Sequence, residues 1–284
     1  MKIISKKTSI TENHIKNFCP TLFSIFDSVY KTKAIIEKLS KNIEKSVKDS
    51  KDFCTQADIA IEKHLVSFFK ENFEHKIISE ELANEADFNN KDSFWIIDPL
   101  DGTSAFSIGL DKNIPSIMIA LVEAGVITHS IVFFPFTDDF YYAVKDKGAF
   151  KNGQKIKNNF NNSILDSHAI VNCYQNKKFN SKNYEKVNNF LFSENGPQIT
   201  TICSPNSGVA LRTLDSNSTA LVFHDNSTEK IKQGIWDIAP IKLIVEEAGC
   251  LYTDINFKNY KLNSCLPIFI FKNKEIKKEL TANF

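Results

Sequence analysis

Arginine is almost absent from this chain: Arg212 stands alone among 35 basic residues, and all the others are lysine. Several arginine forks therefore cannot grip a phosphate here, and such an anion has to be held by metal ions, backbone amides or lysines. No charge of one sign dominates either. The 35 basic residues face 34 acidic ones, a net charge of +1, which lacks the basic surplus of a generic nucleic-acid or membrane-surface binder. The six cysteines are scattered without a C-x-x-C pair, which fits free or buried thiols in a reducing compartment better than a disulfide framework or a zinc site. No apolar run reaches the ~20 residues of a membrane span. The longest stretch, Ile114 to Phe136, is broken by Pro115, Glu123, Gly125 and His129, and the opening residues are too polar beyond Ile4 for a signal peptide. These absences lead us to expect a cytoplasmic protein with no membrane and no nucleic-acid partner.

What is present is enough to fold. The 284 residues are 42% hydrophobic, sufficient for one large domain or two ordinary ones. Leu22, Phe23, Phe26, Val29 and Tyr30 follow Pro20 at helical steps, and Ile61, Leu65, Phe68 and Phe69 stripe a second helix over Ala57 to Phe73. From Lys76 the texture becomes strand-like. Lys76–Ser79, Phe94–Ile97, Ile114–Val122, Val126–Phe134 and Phe140–Val144, joined by short turns, predict an antiparallel meander. The Asn-rich tract from Lys151 to Ser163 reads as a connection between an N-terminal part, 1–155, and a C-terminal part, 156–284. Beyond it, strands at His168–Cys173 and Ile199–Cys203 alternate with helical segments at Lys182–Phe192, Gly208–Leu214 and Ala239–Ala248. The expected class is α+β, in alternating layers of helices and sheets.

The chemistry concentrates at Trp95-Ile96-Ile97-Asp98-Pro99-Leu100-Asp101-Gly102-Thr103. An apolar strand runs into two carboxylates three positions apart, then a glycine and a hydroxyl. In a tight turn Asp98, Asp101 and the Leu100 carbonyl can converge on one point, and these hard oxygen donors suit Mg²⁺ or Mn²⁺. If Thr103 opens a helix, the amides of Gly102 and Thr103 face an anion. Three further acidic sites accompany them: Ser79-Glu80-Glu81 after a strand, Asp52 to Asp58 opening the second helix, and Trp236-Asp237-Ile238-Ala239 heading a late helix. Each alone is an ordinary turn or cap, since acidic residues favour such places for structural reasons.

Taken in order and spacing, these motifs resemble those of the inositol monophosphatase superfamily. Its D-P-[IL]-D-G-T box matches Asp98–Thr103, its G-E-E element Ser79–Glu81, and its D-x-V-T-x-A-D element Asp52–Asp58, with Cys54 in place of valine. Its W-D-x-A matches Trp236–Ala239, its E-A-G-G matches Glu247–Cys250, and its G-x-G-A-F-x-N-G matches Asp146–Gly153. The resemblance implies a sugar-phosphatase fold, a homodimer, and a lithium-sensitive, Mg²⁺-dependent phosphatase acting on a small phosphorylated substrate. It also implies roles. One Mg²⁺ would sit among Glu80, Asp98 and the Leu100 carbonyl, a second among Asp98, Asp101 and Asp237, and a weaker third would lean on Glu80. Glu80 and Thr103 would orient a metal-activated water for direct in-line attack, with Asp58 accepting from Thr103 and Gly102 and Thr103 facing the phosphate. No contrary nucleophile is offered, because no cysteine lies in a C-x5-R loop.

Departures from the pattern are Ser79 and Cys250 in place of glycines, and Ala105 where a polar residue is usual. The substrate is less legible. The family's sugar-contacting segment corresponds to Asn206-Ser207-Gly208-Val209-Ala210, with Asp101 also placed to meet the sugar, and His224 falls where an acidic contact is usual. The loop from Asp225 to Gly234 carries Lys230 and Lys232, either as solvated surface or as partners of a second phosphate. Inositol monophosphate or a similar polyol phosphate is the first expectation. A 3′(2′),5′-bisphosphate nucleotide or fructose 1,6-bisphosphate is the second, and a moonlighting partner-binding role on the same fold is the third.

Overall fold

The computed structural model describes residues 5–49, 52–82, 92–109, 113–158, 163, 165, 168–173, 182–203, 208–212, 214, 219–225, 234–254, 256–260, 262 and 268–283. Two helices lead, α1 (Lys6–Phe18) and α2 (Pro20–Leu39). Proline opens α2 because its fixed φ suits the first turn and its missing N–H has no partner to lose there. Helix α1 falls in the first third of the chain, which reads as helix, but it has no apolar stripe: its buried face is Thr8, Thr11 and Ile15, two of them polar. A hairpin of β1 (Lys45–Asp49) and β2 (Asp52–Thr55) follows, so Asp52 lies in a strand and does not open a helix as its motif suggests. Helix α3 (Gln56–Asn72) starts at Thr55, which caps it: the Thr55 side chain accepts from the Ala57 N–H and Asp58 reaches back to the Thr55 N–H.

Seven strands then form one sheet in the order β3 (Lys76–Ser79), β4 (Phe94–Asp101), β5 (Ser116–Glu123), β6 (Val126–Phe134), β7 (Asp139–Val144), β8 (Gly148–Lys151), β9 (Gln154–Lys155). The pair β3–β4 is parallel and the rest is the antiparallel meander. All of β4 is buried, which requires cover on both faces. Trp95 and Ile97 pack with Leu22 and Phe26 of α2 and with Ile61, Leu65 and Phe69 of α3. Phe94 and Ile96, on the alternate face, pack with Ile238, Ile241 and Val245 of α7 (Ile235–Glu247).

The expected connection at Lys151–Ser163 is shorter than its composition suggests. Lys151 belongs to β8, Gln154 and Lys155 form β9, and Ile156 is buried in the core under α7. The second sheet has the order β11 (Ile199–Cys203), β10 (His168–Cys173), β12 (Thr219–Asp225), β14 (Ile268–Phe271), β13 (Leu251–Asp254). Its Ile268 and Ile270 face α7, while Phe269 and Phe271 face α5 (Lys182–Leu191) and α8 (Lys274–Asn283). The molecule is therefore layered helix, sheet, helix, sheet, helix. The helical segment expected at Gly208–Leu214 is the single turn α6 (Val209–Arg212).

Candidate metal and catalytic site

The site forms where β4 breaks. In a regular strand Asp98 and Asp101, three apart, would project to opposite faces. Here Asp98 pairs with Met118 and Asp101 with Ser116, so β4 carries one extra residue against β5. Such a bulge re-aims side chains, and Pro99 within it has no N–H for the ladder. The Leu100 N–H turns back to donate to Asp98 Oδ1 at 2.9 Å. The result brings Asp98 and Asp101 onto one point, and Asp237 in the first turn of α7 joins them. One carboxylate oxygen from each of the three lies within 4.8 Å of the others.

These carboxylates sit where acid groups are costly. Asp98 is fully buried and Asp101 is 6% exposed. Burial holds the Asp98 carboxyl well above the ordinary range, and the charges of Glu80, Asp101 and Asp237 push it further. Asp98 Oδ2 is buried with no hydrogen-bond partner. A buried oxygen without a donor, facing other carboxylates, is what a hard cation would satisfy, and the donor set suits Mg²⁺ in particular. Glu80 stands at the end of β3, and its N–H donates to the Ile97 carbonyl at 3.2 Å. It lies outside the group of three but acts on Asp98 electrostatically.

Gly102 caps the short helix α4 (Thr103–Ser107) with φ of 88°, a conformation that favours glycine. The Thr103 hydroxyl lies 2.7 Å from Asp58 Oδ1 and 2.7 Å from the Leu100 carbonyl, so its one proton has two acceptors. Asp58 is completely buried. Burial pushes its carboxyl up to about 6, although hydrogen bonds from Thr55 and Thr103 oppose the rise. Ala105, at the departure from the motif, is 1% exposed and packs as an apolar residue.

Two polar side chains of the site, Ser116 and Glu62, were not evident from sequence. Ser116 Oγ and the Gly208 N–H both donate to Asp101 Oδ2, at 3.0 and 2.7 Å. The only hint of Ser116 is its place opposite Asp101 in the β4–β5 register. Gly208, expected to meet substrate, has its amide hydrogen taken by Asp101. Glu62 accepts from Ser79 Oγ and from the amides of Glu81 and Leu82, and its only hint is its position four residues after Asp58. Ser207, Lys230 and Lys232 lie outside the described residues. His224 lies in β12, its backbone opposite Ile268.

Comparisons with known proteins identify relatives of the whole chain. A family model described as "Inositol monophosphatase family" matches residues 23–283. A "Fructose-1,6-bisphosphatase/inositol-1-monophosphatase" of Thermotoga maritima is 30% identical over 239 residues, covering 84% of each chain. The "Nus factor SuhB" of Escherichia coli K12 is 28% identical over 246 residues, covering 85% of each. The solved structure of an IMPase/NADP phosphatase complexed with Mg²⁺ and phosphate superposes with a TM-score of 0.73 at 19% identity, over 95% of both chains. Among the described residues, no helix is long and apolar enough to cross a membrane.

Proposed function

The chain belongs to the inositol monophosphatase family of phosphatases, and from that premise we propose that it hydrolyses a small, inositol monophosphate-like phosphomonoester with Mg²⁺ at the Asp98 cluster. The observation that carries the reading is the group formed by the buried Asp98 and Asp101 and the half-buried Asp237, with its unpartnered Asp98 oxygen. Asp98, Asp101 and Asp237 would hold one ion, and Glu80, Asp98 and the Leu100 carbonyl another. Bound there, Mg²⁺ supplies neutralisation of the phosphate dianion and eases deprotonation of water.

The chain's own groups do the rest. Asp58 accepts a hydrogen bond from the Thr103 hydroxyl, leaving a lone pair of Oγ1 to accept a hydrogen bond from the attacking water and orient it. Glu80 provides a second acceptor for that water, fixing its line of attack on phosphorus. The amides of Gly102 and Thr103 are the donors nearest in sequence for the phosphate oxygens. Attack is direct, with no phosphoenzyme.

A phosphate-release assay with Mg²⁺ present or chelated tests this, using inositol 1-phosphate, fructose 1,6-bisphosphate, 3′-phosphoadenosine 5′-phosphate and histidinol phosphate. Preference for inositol 1-phosphate is expected. Preference for a bisphosphate would shift specificity toward Lys230 and Lys232. The double name of the Thermotoga relative makes fructose 1,6-bisphosphate the leading competitor. Silence across the panel with Mg²⁺ bound would favour a partner-binding role, the reading suggested by the name of the Escherichia coli relative. Inhibition by lithium and a homodimer in light scattering are further expectations of the family reading.

A further inference from the structure

We propose that Glu62 is a positioning residue for Glu80, so that a single face of α3 organises both groups that address the attacking water. This rests on the phosphatase reading above. Asp58 and Glu62 are four residues apart on α3, hence on one face, and both are buried, Glu62 at 5% exposure. Asp58 holds Thr103. Glu62 holds the turn that carries Glu80: its Oε1 accepts from Ser79 Oγ, from the Glu81 N–H at 3.0 Å and from the Leu82 N–H at 3.1 Å. Between these anchors the Glu80 N–H goes the other way, to the Ile97 carbonyl of β4, one residue before Asp98.

The turn is thus pinned on two sides, to the sheet through residue 80 and to the helix through residues 79, 81 and 82. An ionised carboxylate is the strongest acceptor available for three convergent donors. Removing it leaves two amides and a hydroxyl without their partner, a loss the turn relieves by moving. Glu80 sits in the middle of that turn and is the foremost acidic neighbour of Asp98. Ser79, a departure from the glycine of the family motif, has a role here, because its hydroxyl is one of the three donors.

The test uses the full chain with Glu62→Ala, Glu62→Gln, Glu80→Ala and the double variant Glu62→Ala/Glu80→Ala. Mg²⁺ affinity is read by calorimetry and by half-activation of phosphate release, beside a thermal melt. Loss of a group that orients a ligand typically weakens metal binding about 10–100-fold, and that is expected for Glu62→Ala. In the Glu80→Ala background the same change should add no more than about twofold, because both act through one carboxylate. If Glu62→Ala melts below the assay temperature, the isosteric Glu62→Gln carries the test, with an expected weakening of about tenfold. Unchanged Mg²⁺ affinity in the Glu62 variants while Glu80→Ala weakens it would overturn the proposal alone. Multiplying effects in the double variant would do the same. Unchanged affinity in Glu80→Ala would overturn the ligand reading of Glu80, and this proposal with it.

Discussion

Gly208 donates its N–H to Asp101 Oδ2 at 2.7 Å across 107 residues of sequence, so the second half of the chain helps to fix a carboxylate of the first. Ser116 donates to the same oxygen. The glycine is required by space. A Cβ at 208 would collide with Ser116 Oγ and lie 3.1 Å from the Phe134 ring and 3.2 Å from Asp101 Oδ2. Gly208→Ala should therefore cost ~1–3 kcal/mol of stability through overpacking and weaken Mg²⁺ binding by displacing Asp101. Ser116→Ala removes the atom in the way, so the double variant should recover part of the loss. Urea unfolding of the four proteins gives the coupling, and strict additivity would contradict the shared contact.

Asp98 illustrates a site whose chemistry opposes its stability. Its carboxyl is buried beside three other acids, with one oxygen unpartnered. Asp98→Asn should abolish turnover while stabilising the metal-free protein by about 0.5–2 kcal/mol. Melting in chelator and in Mg²⁺ checks this: the wild type gains stability from Mg²⁺, whereas the variant starts higher and gains little. A variant that melts below the wild type in chelator would show that Asp98 is not under strain there.

Thr103 is expected to separate catalysis from metal holding. Its hydroxyl touches Asp58 and the Leu100 carbonyl. Thr103→Ala should lower kcat by about 10²–10⁴, the usual contribution of a positioned proton-transfer group, with Mg²⁺ affinity within a few-fold of wild type. Parallel collapse of calorimetric Mg²⁺ binding would assign the hydroxyl to the metal instead.

The parts of this molecule that were legible in the sequence are those written contiguously. Strands Lys76–Ser79, Val126–Phe134 and His168–Cys173 begin and end where their apolar patterns do, and the residues Asp98 to Thr103 carry their own bulge, glycine and cap. Asp237 was singled out through the resemblance of Trp236–Ala239 to the family's W-D-x-A motif, and it lies in the first turn of α7. What was hidden depends on register. Ser116 and Glu62 are ordinary polar residues until the β4–β5 pairing and the α3 packing choose their partners. Glu247 is similar: its two carboxylate oxygens each accept at 2.7 Å, from the N–H groups of Asp146 and Gly148. That clamp ties the Glu247–Cys250 motif to the Asp146–Gly153 motif, so both are structural braces for α7 on the first sheet. Helix α1 shows no apolar stripe because two of its three buried residues are threonine, and the second sheet's order was hidden because its neighbours are distant in sequence.

Asp58 is expected to set the acid limb of activity. Its carboxyl, ordinarily near 3.8, is raised to about 6 by burial, with Glu81 adding to the rise. The folded state thus binds this proton more tightly than the unfolded chain does. The contribution to stability is fully present below the unfolded value and is lost as pH rises through 6. For this fully buried group the ionised form costs on the order of 2–3 kcal/mol at neutral pH. In chelator, Asp58→Asn should therefore gain on the wild type as pH goes from 4 to 7. Catalysis is expected to run the opposite way, because Asp58 has to be ionised to accept the Thr103 hydrogen bond in full. Wild-type kcat should fall about tenfold per pH unit on the acid side, from a point at or below 6, since bound cations favour the ionised form. Asp58→Asn should be slow and flat over that range. A wild-type kcat that holds steady down to pH 4, or an Asp58→Asn profile with the same acid limb, would remove Asp58 from the reaction.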